Sequence, residues 1–113
     1  MDERILKWLF DIKLSIEEIE SFFEEDQKDF YKYKESLMLK RAVERNLEII
    51  GEAINRIITR DSTYHEKISN ARSIVGLRNQ VIHAYDNISD ENIWSILINH
   101  LPKLKAEVEA LTK

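Results

Sequence analysis

RAVERNLEIIGEAINRI, residues 41–57, sets Val43, Leu47, Ile50, Ile54 and Ile57 four and three residues apart. That rhythm is the period of an α-helix with one buried stripe. Leu39 continues the stripe upstream, so the spacing predicts a long helix from about Tyr31 to Arg60. Arg45, Glu48, Glu52 and Arg56 form a polar line on the same helix. It reads as a solvated face held by pairs such as Glu52 with Arg56, each worth a few tenths of a kcal/mol. Two residues fit this rod less well. Gly51 costs about 1 kcal/mol against Ala in a helix interior, which the close approach of a neighbouring helix would justify. Asn46 falls beside the apolar stripe and, if buried, needs hydrogen-bond partners.

The same period runs through the rest of the chain. Ile5, Leu9, Ile12, Ile16, Ile19 and Phe23 predict a first helix from Asp2 to Phe23, ended by the acidic, turn-like EEDQKD at 24–29. DSTYHEKISN, 61–70, reads as a polar loop with room for a short helical turn, and Ala71 to about Ala84 reads as a third helix. In NISDEN, 87–92, Ser89 can cap a helix whose positive end suits Asp90 and Glu91. Ile93, Leu97, Leu101, Leu104, Val108 and Leu111 carry that last helix, with a kink expected at Pro102. No strand pattern, repeat or low-complexity tract competes. The expectation is a single domain spanning 1–113: an all-α, antiparallel bundle of four main helices.

Composition agrees. Hydrophobic residues are 43% and charged residues 34%, with two Gly and one Pro, a profile of long helices and not of disorder or most all-β folds. At 113 residues there is enough chain for one core. The absence of Cys excludes disulfides, thiolate zinc sites and cysteine nucleophiles. No apolar run is long enough to span a membrane, and MDERILKWLF opens on charges with no cleavage-like site. A soluble cytoplasmic protein is the expectation. The net charge of −4 argues against sequence-blind nucleic-acid binding by the whole surface, so any RNA site must be local.

The motifs H-E-x-x-H, G-x-x-x-x-G-K, G-x-G-x-x-G and G-x-S-x-G are all absent. His65, in the polar loop, and His100, before Pro102, lack partners at metal-ligand spacing and read as structural or surface residues; no metal or other cofactor is expected. His83 differs by its company in RNQVIHAY, 78–85. Asn79, four residues earlier, is its neighbour on a helix and can orient the imidazole. Arg78, five residues earlier, points roughly 140° away at about 100° per residue. Taken alone, such a pair is usually a salt-bridging Arg and a satisfied His. Two arrangements would bring them together: an unwound helix near Ala84, or two copies of the motif facing each other across a dimer axis.

RNQVIHAY also matches the Arg-x4-His-x-Tyr signature of the HEPN ribonuclease superfamily, in its HepT-like branch. RAVERNLEIIGEA upstream and IWSILINHLPKLKAEVEAL, 93–111, downstream resemble that branch's flanking segments in the same order. The resemblance implies the toxin of a type VII toxin–antitoxin pair, partnered by a cognate minimal nucleotidyltransferase. It implies a homodimer whose two motifs form one RNA-cleaving cleft, with Arg78 and His83 catalytic. Tyr85 would be the residue silenced by AMPylation, and Asn79 fits the polar residue that often follows the motif Arg.

Physical chemistry makes that assignment sensible. RNA brings its own nucleophile, the 2′-OH, so a metal-independent endoribonuclease needs only proton transfer and charge stabilisation. An imidazole ordinarily titrates near neutrality, which suits His83 to proton transfer, and Arg78 offers a permanent fork of donors matched to phosphate oxygens. Asn46 and Glu52 are expected as auxiliary supports from the second helix. Two rival readings remain: a non-catalytic helical docking module for a nucleotidyltransferase, and a structural dimer with an inactive motif.

Overall fold

Helices form where the apolar rows run. The computed structural model describes residues 2–23, 29–83 and 89–113; within 77–83 it describes the backbone, and of the side chains only that of Asn79. Among the described residues there are helices and turns and no strand. The fold is all-α, as the spacing predicts.

The first helix, α1 (Glu3–Ser21), starts where Asp2 turns its carboxylate onto the amides of Arg4 and Ile5, at 2.8 and 3.3 Å. Such a cap is worth about 1 kcal/mol. Ile5, Leu9, Ile12, Ile16 and Ile19 are all buried. At roughly 1.5–3 kcal/mol for each fully buried aliphatic side chain, this row is the main reason the helix docks.

The expected helix from Tyr31 to Arg60 is two helices. The short α2 (Phe30–Glu35), capped by Asp29, ends at Ser36, and α3 (Leu37–Arg60) follows. Ser36 is extended, and its hydroxyl accepts from the Leu39 amide at 3.1 Å, so it caps α3 instead of continuing α2. The break lets Tyr33 turn fully inward, its ring centroid 5.6 Å from that of Trp94. Burial pushes the Tyr33 phenol well above its ordinary pKa, with the Glu44 and Asp90 carboxylates adding to the effect. Its hydroxyl has no hydrogen-bond partner among the described residues.

Along α3, Val43, Leu47, Ile50, Ile54 and Ile57 are buried as the stripe predicts. The helix runs antiparallel to α1: Asp2 at the start of α1 meets Arg60 at the end of α3, and Glu18 near the end of α1 meets Asn46. A single turn, α4 (Tyr64–Lys67), interrupts the polar connection, and α5 (Ala71–His83) packs on α3.

The last row is in three pieces: α6 (Asp90–Ser95), a π-helical turn at Ile96–His100, and α7 (Leu101–Leu111). Ser89 caps α6 by accepting from the Asn92 amide at 3.2 Å. In the π turn the Leu101 amide reaches back five residues to the Ile96 carbonyl. Pro102 therefore sits in the first turn of a new helix, where a missing N–H is no loss. The row closes the bundle through Lys40–Asp90 (3.4 Å), Lys105–Glu20 (2.9 Å) and the Ser69 amide on Glu107 (3.1 Å).

Candidate functional site

The RNQVIHAY motif straddles the end of α5. Arg78, Asn79 and His83 belong to the helix; Tyr85 lies outside the described residues. Arg78 and His83 share one continuous helix, which sets their positions roughly 140° apart; the unwinding expected near Ala84 lies outside the described residues. Asn79 is exposed and lies one turn before His83 on the same side of the helix.

The helix is chemically unlike the rest of the chain. It contains Arg72, Arg78 and His83, and no Asp or Glu. From Lys67 to Tyr85 there is no carboxylate at all, in a chain with 21. Inspection of charge along the sequence would have found this run; averaging over the whole chain hides it.

On α3 the auxiliary candidates have other commitments. Asn46, 4% exposed, donates to the Ala42 carbonyl at 3.0 Å and to the Glu18 carboxylate at 3.4 Å. The buried amide thus has the partners its burial requires, one on its own helix and one on α1. Glu52 accepts from Arg56 at 3.0 Å, one turn later. With Trp8, Asp11, Arg45, Glu48, Ile49 and Ala53 these two line a groove of about 330 Å³ between α1 and α3. Gly51 is buried in the bundle.

A second depression, of about 270 Å³, lies where α4 leads into α5, lined by His65, Ile68, Ser69, Ala71 and Arg72. Among the described residues, no group of three His, Asp or Glu stands ready to hold a metal ion. No described helix is long and apolar enough to cross a membrane.

The family model for HepT-like ribonucleases matches residues 12–111, nearly the whole bundle and both halves of the motif helix. The chain belongs to the HepT-like ribonuclease family. A Methanocaldococcus jannaschii protein named as a candidate RNase is 38% identical over 112 residues, covering 96% of this chain and 98% of its own. The Thermococcus cleftensis protein named probable ribonuclease HepT is 36% identical over 107 residues, covering 94% of each. No solved structure matches the chain. The HepT-like assignment covers α3, α5 and the α6–α7 row together, the three segments whose order the sequence already shows.

Proposed function

We propose that this HepT-like protein is a metal-independent endoribonuclease, the toxin of a toxin–antitoxin pair, working in the cytoplasm as a homodimer. The observation that carries the reading is the acid-free helix α5, which holds Arg78 and His83 five residues apart on an otherwise acidic protein. Two such helices brought together by a two-fold axis give one cleft with two Arg and two His, an arrangement one straight helix does not provide. One imidazole takes the 2′-OH proton as that oxygen attacks the adjacent phosphorus. The other protonates the leaving 5′-oxygen, and the guanidinium stabilises the charge on the phosphorane. Asn79, one turn before His83, orients the ring. Asn46 contributes by seating α3, on which α5 packs; Glu52, facing the α1–α3 groove with Arg56, is assigned no step.

Tyr85, two residues beyond His83, is the proposed switch. A cognate nucleotidyltransferase would transfer AMP from ATP to its hydroxyl, releasing pyrophosphate. The bulky anion so placed competes with RNA for Arg78 by charge and by volume. Tyr85→Phe should keep RNA cleavage and escape silencing.

The test is product chemistry. Purified, unmodified protein in EDTA should cut an oligoribonucleotide to a 2′,3′-cyclic phosphate and a 5′-hydroxyl, and should leave the same strand intact when the 2′-OH at the cut site is removed. Strict dependence on added magnesium, or cutting of the deoxy-substituted strand, would sink the mechanism. A protein that binds its nucleotidyltransferase but never cuts RNA would favour the docking-module reading.

A further inference from the structure

We infer that the outer face of α5 is a track for the single-stranded RNA flanking the cut, with Arg72 as phosphate anchor and Gly76 as the point of closest approach. The inference rests on the ribonuclease reading above.

Charge commitment is the first ground. Arg41, Arg45, Arg56 and Arg60 each pair with a carboxylate, at Glu44, Glu48, Glu52 and Asp2. Arg72 is exposed and, among the described residues, pairs with none. Four of the chain's seven arginines are neutralised in this way; Arg72, on a helix without a carboxylate, is left for an outside anion. Phosphate suits it, because the planar fork matches phosphate oxygens.

Register is the second. Positions 72, 76, 79 and 83 step by four, three and four, so they share one face of the helix. Arg72, Gly76 and Asn79 are exposed there. Eleven residues at 1.5 Å each carry the row about 16 Å from Arg72 to the His83 position, room for several nucleotides. The row ends at the depression lined by His65 and Arg72. The Ser69 amide beside it donates to Glu107, and the permanent cation lining the depression is the Arg72 guanidinium.

Gly76 is the third. It sits inside a helix, where glycine weakens the fold, and no packing reason appears: among the described residues, an added Cβ would meet nothing within 4 Å. A bare patch beside a cation lets a phosphodiester backbone lie close to the helix. A second protein surface fits less well. Among the described residues the large exposed apolar side chains (Phe10, Leu14, Tyr31, Leu37, Met38, Ile98) lie off α5, and protein interfaces have apolar cores depleted of charge.

The experiment uses the full-length His83→Ala protein, which binds without cutting, and a fluorescein-labelled oligouridylate of about 20 nucleotides. Anisotropy is read between roughly 50 and 200 mM NaCl. Arg72→Gln should weaken binding about 5-fold to 10-fold and lower the salt slope by about 0.7, the value for one lost phosphate contact on a single strand. Arg72→Lys should restore the slope. Gly76→Leu, checked for unchanged helicity, should weaken binding by bulk with the slope unchanged. Wild-type protein that cuts RNA while Arg72→Gln keeps affinity and slope overturns the track and leaves the ribonuclease intact. Dissociation of the dimer in Arg72→Gln also overturns it, marking the strip as a contact between copies. Wild-type protein that neither binds nor cuts RNA overturns both.

Discussion

Along α3, Arg41, Arg45 and Arg56 are each answered by a glutamate three or four residues away, whereas α5 carries Arg72 and Arg78 without one carboxylate. The two helices pack on each other and are built for different ends. The longer one is largely satisfied: its stripe is buried, Arg41, Arg45 and Arg56 pair along its own surface, and its buried asparagine has partners on two helices. The shorter one contributes Ala71 and Ile74 to the core and turns an exposed row outward. On the proposed reading stability is concentrated in α3 and chemistry in α5, and substitutions should separate the two.

The largest expected effect is on the stability side. Leu47→Ala, at a fully buried position, should cost about 2–5 kcal/mol in urea unfolding, by lost transfer energy and a cavity. A cost under about 1 kcal/mol would mean that α3 is not the core helix.

The two glycines sharpen the contrast. Gly51→Ala, buried on α3, should destabilise by about 1–3 kcal/mol through overpacking. Gly76→Ala, exposed on α5 with open space around it, should stabilise by about 0.5–1 kcal/mol. Thermal melts of the two variants should move in opposite directions. Shifts of the same sign would remove the distinction between a glycine kept for packing and one kept for function.

The smallest effect is at the α1–α3 seam. The Arg60 guanidinium, with the amides of Arg4 and Ile5, holds the Asp2 carboxyl below its ordinary value of 3.8. A depressed folded pKa contributes stability that is full above the ordinary value and is lost as pH falls through the depressed one. Arg60→Gln should therefore lower the urea midpoint at pH 7 slightly and flatten its fall below about pH 4, as seen in urea titrations. The remaining acid loss should persist, because Asp61 and Glu91 are depressed by Thr63 and by the Glu91 amide and Ser89.

These effects also bear on what could be read without coordinates. The rows of α1 and α3 were legible because a buried stripe repeats at the helical period, and Ile5 through Ile19 and Val43 through Ile57 are buried as spaced. The break at Ser36 was not. Serine is tolerated inside helices, and what decides against it here is the inward turn of Tyr33 onto Trp94, a contact 61 residues away in sequence. The π turn at Ile96–His100 escaped for a similar reason, since one extra residue in a turn barely disturbs the apolar spacing. Of the candidate site, the helix bearing Arg78 and His83 was legible and its neighbours were not. Asn46 could be flagged as a polar residue beside the stripe, but its bond to Glu18 depends on how α1 crosses.

The most direct test measures cleavage rate and melting temperature on the same His83→Ala preparation. If α5 carries the chemistry and α3 the fold, RNA cleavage falls by about 10²-fold or more while the melting temperature stays with the wild type. Cleavage that persists, or a loss of activity that follows a matching loss of stability, would contradict the account.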